Sequence, residues 1–205
     1  MSLCFALVLC AAQAPDSTTA ALGFIEDAAG GTAVAPPQET KPAFSYSYVE
    51  LGYLLLDSDG LDETVQGWRA TGSFDFLFGS FLQATYTDAS DSGEDYNEAR
   101  LGVGYHLTLS SSLDLFGIAS YARQDLDGSN VDDVDGGGAL VAGARYLLTS
   151  RIELNGQLEW VNLDESDGGA GVGARYYLTD YISFGANVRF LDNDEELLLG
   201  VRLQF

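Results

Sequence analysis

The chain of 205 residues is poor in the residue types from which most catalytic and metal sites are built. It has one histidine, His106, and two cysteines, neither of them beyond residue 10. A Ser–His–Asp site could use only His106, and no cysteine beyond residue 10 is available for a thiolate metal site. No pair of carboxylates stands out for acid–base chemistry either. We predict that the protein is not an enzyme.

Basic residues are also scarce, with 9 Lys and Arg against 31 Asp and Glu and a formal charge of −22. So acidic a surface repels phosphates, which argues against a nucleic-acid partner. The apolar content of 46% is nevertheless too high for a disordered chain. A single domain of ordinary size fits this length.

No apolar run after Ala14 approaches the ~18 residues of a membrane helix. The run from Leu3 to Ala12, followed by the small-x-small pattern Ala12-Gln13-Ala14, predicts a signal peptide over residues 1–14. Two alternatives are a short buried strand or helix and lipid attachment at Cys10. Residues 15–42 are rich in Ala, Thr, Pro and Gly without a period, which predicts a flexible periplasmic linker.

From Phe44 onward the hydrophobic period is two. In the clearest run, from Ile152 to Trp160, apolar or glycine residues alternate with Glu, Asn and Gln, which is the pattern of a strand. Ten such runs recur, with no helical pattern between them. They span residues 44–56, 64–78, 81–88, 96–108, 113–124, 138–148, 152–163, 169–178, 181–191 and 195–205.

The connections alternate between short turns and longer acidic loops, such as 57–63, 88–95 and 125–135. A repeat of 30 residues matches Gly143-Ala144-Arg145-Tyr146 with Gly173-Ala174-Arg175-Tyr176. A two-strand repeat with every tight turn at one end predicts an all-β fold, a single up-and-down antiparallel barrel of about ten strands over residues 43–205.

The two faces of these strands indicate which solvent surrounds the barrel. One face carries apolar residues with aromatic residues towards the strand ends, and the other carries six carboxylates and six arginines. An enclosed face needs such a balance, because an unpaired buried charge is costly. We therefore predict a transmembrane barrel with a charged lumen; the alternative is a soluble sandwich or lipocalin-like barrel with the faces reversed. The predicted lumen charge network is Glu50, Arg69, Asp75, Glu98, Arg100, Asp114, Arg145, Glu153, Glu159, Arg175, Arg189 and Arg202.

The last strand alternates through Leu199, Val201 and Leu203 and ends on the aromatic Phe205. It resembles the assembly signal of small outer-membrane β-barrel proteins of Gram-negative bacteria, the OmpA-like and porin-like group. The segment from Phe44 to Tyr53 resembles the first strand of that group. The resemblance implies an outer-membrane location, tight turns in the periplasm, acidic loops outside, and contact with lipid, lipopolysaccharide and the assembly machinery. We expect a monomer, because a closed barrel has no strand edge to pair.

Two functions follow for such a barrel. The first is a structural or surface-interaction role, through envelope integrity, adhesion or lipopolysaccharide contact by the acidic loops. The alternative is a narrow passive channel for small solutes or cations, lined by fixed charges. No cofactor is expected, although the acidic loops are a weak divalent-cation candidate through Asp125, Asp127, Asn130 and Asp132.

Overall fold

The computed structural model describes residues 44–58, 64–91, 94–128, 131–162, 166–192 and 194–205. The predicted signal peptide and linker lie outside these ranges. No helix within them is long and apolar enough to cross a membrane.

Ten antiparallel strands form one closed barrel in simple up-and-down order, as the period of two predicts. Closure comes from pairing of the first and last strands, which runs from Tyr48 opposite Gln204 to Ser58 opposite Asp194. The strands are β1 (Tyr48–Ser58), β2 (Val65–Leu77), β3 (Ser80–Asp91), β4 (Glu94–Ser110), β5 (Leu113–Gly128), β6 (Val131–Thr149), β7 (Ile152–Asn162), β8 (Ser166–Tyr177), β9 (Ile182–Leu191) and β10 (Asp194–Gln204).

Four tight turns lie at one end of the barrel, which we call the turn end, and the opposite end is the loop end. The β2–β3 turn has positive φ at both central residues, 53° at Phe78 and 80° at Gly79. This conformation matches the twist of a two-residue hairpin and suits Gly79 better than Phe78.

The first predicted strand and two predicted loops need correction. Residues 44–47 do not belong to β1, which begins at Tyr48; they turn into the lumen instead. The acidic stretches 88–95 and 125–135 are largely strand. β3 and β4 stay paired as far as Asp91 opposite Glu94, and β5 and β6 as far as Gly128 opposite Val131, which takes β6 well past the end of β7. Strand segments that project past the lipid have water on both faces and can carry acidic residues at any position.

The two faces of the barrel wall separate as the alternation predicts. Leu101, Leu158 and Val172 on the apolar face are 60–67% exposed, while Glu98, Glu153 and Arg175 on the polar face are at most 3% exposed. The polar face therefore lines the lumen, and the soluble alternative with reversed faces is wrong.

Candidate functional site

The outer surface of the barrel is an apolar belt between two rings of aromatic side chains. Trp68 and Tyr86 lie in the ring nearer the loop end, with their ring centroids 5.4 Å apart in a tilted pair. Other exposed members of that ring are Tyr53, Tyr121, Trp160 and Phe190, and the ring nearer the turn end contains Phe74, Phe76, Tyr105, Tyr146, Tyr176 and Phe184.

A belt of exposed Leu, Val and Phe around a charged interior is stable only against lipid. The protein is a transmembrane β-barrel. An even number of antiparallel strands with an apolar band between two aromatic rings is the arrangement of the bacterial outer-membrane type. The barrel therefore belongs in the outer membrane.

Inside the barrel, three arginines and three glutamates form a continuous chain of ion pairs across the bore on the loop side. Arg69 makes two bonds with Glu196, of 2.5 and 2.7 Å, and Glu196 also accepts from Arg189 at 2.7 Å. Arg189 contacts Glu159 at 3.2 Å, Glu159 contacts Arg100, and Arg100 contacts Glu98. We call these six residues the loop-side ion-pair chain.

Glu196 belongs to this chain although it was not among the predicted lumen charges. It is 4% exposed and bonds to both Arg69 and Arg189. The signal was present in the sequence, since Glu196 lies on the same face of β10 as Leu198, Gly200 and Arg202. Extending the alternation by one step would have found it.

A second group, the turn-side ion pairs, consists of Glu50, Arg145, Glu153, Arg175 and Arg202. Arg145 donates to both carboxylate oxygens of Glu153, at 3.0 and 2.8 Å. Glu50 is shared by Arg175 at 2.9 Å and Arg202 at 2.6 Å. These side chains fit because two glycines leave room for them. A Cβ added at Gly185 would lie 3.0 Å from the Arg175 guanidinium, and a Cβ added at Gly200 would lie 2.8 Å from the Glu50 carboxylate.

Asp75 and Asp114 are the other two predicted network members, and neither pairs with an arginine of the described residues. Fully buried Asp114 accepts 2.6 Å hydrogen bonds from the Tyr46 and Thr108 hydroxyls. His106 lies between the two carboxylates, with Nε2 3.5 Å from Asp75 and Nδ1 3.5 Å from Asp114. Both imidazole nitrogens face carboxylates, so neither is placed to take a proton from a serine hydroxyl as a hydrolase requires.

Residues 44–47 form a plug at the turn end of the lumen, which the sequence analysis missed. Phe44 and Tyr46 are buried, and the Tyr46 ring stacks on Phe81 and His106 at centroid distances of 4.5 and 4.2 Å. Arg145 Nη1 donates to the Ser45 carbonyl at 3.2 Å. The plug therefore packs directly against the turn-side ion pairs.

The lumen also contains apolar side chains that alternation alone did not predict. Near the loop end, residues of β1, β2, β3, β4 and β10 pack into one buried cluster inside the barrel. Its members are Leu54, Leu56, Val65, Ala89, Tyr96 and Leu198. Below it the Tyr96 hydroxyl donates to Glu98 at 2.6 Å, which fixes one end of the ion-pair chain.

Between the two ionic groups lies a cavity of about 220 Å³. Its middle is lined by neutral polar residues: Thr71, Gln83, Thr85, Asn155, Gln157 and Asn187. A space of this size and polarity holds several water molecules or one small solute.

The backbone geometry does not support the weak divalent-cation site predicted at residues 125–132. The register sets Asp127 opposite Asp132, while Asn130 lies outside the described residues. Within the described part of the chain, no group of three or more His, Cys, Asp or Glu residues is arranged to hold a metal ion.

The predicted assembly-signal residues of β10 face the lipid. Leu199, Val201, Leu203 and Phe205 are 41–66% exposed on the outer surface. Their role in assembly stays a prediction.

No family model and no curated protein matches the chain. Similar solved structures include the KdgM porin in complex with disordered oligogalacturonate, with 14% identity, a TM-score of 0.48 and coverage of 77% of this chain and 99% of that one. The NanC porin has 11% identity, a TM-score of 0.44 and coverage of 78% and 100%. Ail, the attachment invasion locus protein of Yersinia pestis, has 13% identity, a TM-score of 0.41 and coverage of 78% and 99%. Similarity at this level says nothing about what the lumen or loops of this chain bind.

Proposed function

We propose that this protein is an outer-membrane barrel with a closed lumen that acts through its loop-end surface, in envelope integrity, adhesion or lipopolysaccharide contact. The observation that carries the proposal is the loop-side ion-pair chain, which crosses the bore from Arg69 to Glu98. Ten strands enclose little more space than the eight whose side chains fill a barrel. Six long side chains bonded to one another occupy much of that cross-section.

The turn end supports the same conclusion by a different route. The plug places Phe44 and Tyr46 inside the lumen, against Phe81 and beside Phe116. Passage through the barrel would require both this apolar packing and the ion pairs above it to open. Breaking a buried ion pair leaves uncompensated charges, at a cost of about 3–5 kcal/mol.

The distribution of arginine limits how the outer surface meets anionic lipid. Of the eight arginines in the described residues, six lie in the lumen, and only Arg123 and Arg151 lie elsewhere. The outer surface therefore offers few cations to lipopolysaccharide phosphates. We infer that divalent cations bridge those phosphates to carboxylates at the loop end.

Single-channel recording in a planar bilayer across a salt gradient tests whether the lumen is closed. The refolded wild-type protein should insert into the bilayer and show no steady channel openings. Its resistance to unfolding on unheated gels is a separate check that it has folded and inserted. Steady openings with a cation-biased reversal potential would overturn the proposal in favour of a narrow passive channel.

A set of variants tests whether the loop-side ion-pair chain and the plug are what prevents conductance. The charge-neutral double variant Glu159→Ala, Arg189→Ala breaks the loop-side ion-pair chain, and a chain starting at Tyr48 lacks the plug. We expect conductance only when the two changes are combined, because each obstacle closes the lumen alone. Openings from either change alone would mean that the other obstacle is not a barrier.

Lipopolysaccharide contact is tested by urea unfolding in vesicles with and without lipopolysaccharide. We expect lipopolysaccharide to stabilise the barrel in calcium but not in EDTA at matched ionic strength. Stabilisation of the same size in EDTA would contradict cation bridging, and none in either condition would contradict lipopolysaccharide contact.

A further inference from the structure

The charges around the central cavity do not cancel. Its ionisable lining consists of six arginines and five glutamates, an excess of one positive charge. Asp114 does not line the cavity, since it lies among Tyr46, Thr108 and His106.

The excess charge can be located. The loop-side ion-pair chain balances three arginines with three glutamates, and Arg145 pairs with Glu153 on the turn side. What remains is Glu50, which serves both Arg175 and Arg202. The unbalanced positive charge therefore lies at these two guanidinium groups.

Arg175 also has an unused donor. Its Nη1 donates to Ser183 and its Nη2 to Glu50, but its buried Nε has no hydrogen-bond partner among the described residues. Arg175 is only 3% exposed and lines the cavity. A buried charged donor without a partner is costly. Because this Nε is shielded from the cavity, an anion in the cavity can compensate the charge of the guanidinium but does not bond to Nε.

The neighbouring cavity wall supplies amides rather than carboxylates. Asn155, Gln157 and Asn187 line the middle of the cavity and offer N–H donors without negative charge. Such a wall suits an anion, since amide and guanidinium donors can together surround it.

We propose that the cavity binds one small monovalent anion, a halide or a carboxylate of the size of formate, against Arg175 and Arg202. A volume of about 220 Å³ accommodates such an ion with a few water molecules. The site compensates the excess positive charge of the cavity lining.

Bromide is the probe, because its anomalous scattering identifies it. Crystals of the full chain grown in bromide should show an anomalous peak in the cavity, within hydrogen-bond distance of an Nη atom of Arg175 or Arg202. In detergent, the thermal unfolding midpoint should rise and saturate as bromide replaces a bulky sulfonate at constant ionic strength, because an ion that binds only the folded state stabilises it.

Two variants should change the affinity of the site for bromide in opposite directions. Asn155→Asp adds a carboxylate to the cavity wall with almost no change of shape, which removes the excess charge, and should abolish the bromide response. Glu50→Gln raises the excess to two and should lower the bromide concentration that gives half the shift. Arg151→Gln, in an exposed turn, is the matched control and should respond like the wild type.

A wild-type response retained in full by Asn155→Asp would overturn the proposal. So would an anomalous map with no peak in the cavity, or with peaks only at Arg123 and Arg151, which would mean an adventitious ion only. If Glu50→Gln does not fold, the comparison of Asn155→Asp with the wild type decides the matter.

Discussion

Replacing Tyr46 with phenylalanine isolates what the plug contributes to the stability of the barrel. The Tyr46 hydroxyl donates a 2.6 Å hydrogen bond to Asp114, which is fully buried. Tyr46→Phe removes this bond and keeps the ring that stacks on Phe81 and His106. The variant therefore removes one polar contact and leaves the apolar packing of the plug in place.

The expected loss follows from the type of bond. A hydrogen bond to a charged group contributes about 1.5–3 kcal/mol, and here its loss leaves a buried carboxylate with one donor fewer. That range lowers the equilibrium constant for folding roughly 10- to 150-fold. Tyr46→Ala also removes the ring, and large aromatic truncations in a packed interior cost about 3–5 kcal/mol.

Reversible urea unfolding in lipid vesicles, followed by tryptophan fluorescence, measures these free energies. Tyr105→Phe is the matched control, because the Tyr105 side chain is exposed on the lipid face. The control should change stability by less than about 0.5 kcal/mol.

The reasoning fails if Tyr46→Phe unfolds with the same free energy as the wild type. That result would mean that Asp114 finds an equivalent donor when the phenol is absent. The reasoning about the ring fails if Tyr46→Phe and Tyr46→Ala lower the free energy of unfolding by the same amount. The ring would then contribute nothing to the packing of the plug.

Two further predictions concern the inside and outside of the wall. A Cβ at Gly104 would overlap the Phe81 ring, so Gly104→Ala should destabilise the barrel by about 1–3 kcal/mol in the same urea assay. Gly72→Ala should be nearly neutral, because no heavy atom lies within 4 Å of the added carbon. Val172→Arg, near the middle of the lipid belt, should cost about 2–4 kcal/mol and Leu178→Arg, at the turn end, about 0–1 kcal/mol; equal costs in vesicle unfolding would refute the depth assigned to the belt.

The barrel and its inside–outside arrangement follow from local sequence, because the period of two fixes which residues share a face. Ile152–Asn162 alternates clearly enough to identify a strand and to direct Glu153 and Glu159 inward. Strand ends were less predictable. Where β4, β5 and β6 leave the lipid, neither face needs to be apolar, and the pattern that marks a strand disappears.

By itself, the sequence determined the strand number, the closed meander, the lipid-facing belt and the enclosure of a nearly balanced set of arginines and carboxylates. Only the tertiary structure decided which charges meet. Glu50 and Arg175 are 125 residues apart, and they pair because closure of the barrel places β1 beside β10 and aims both side chains across one lumen. The tertiary structure also placed Glu196 in the network, residues 44–47 in the turn-end mouth, and one more guanidinium than carboxylate around the central cavity. Alternation specifies a direction for each side chain, whereas its partner depends on strand register and on the narrow space that all ten strands share.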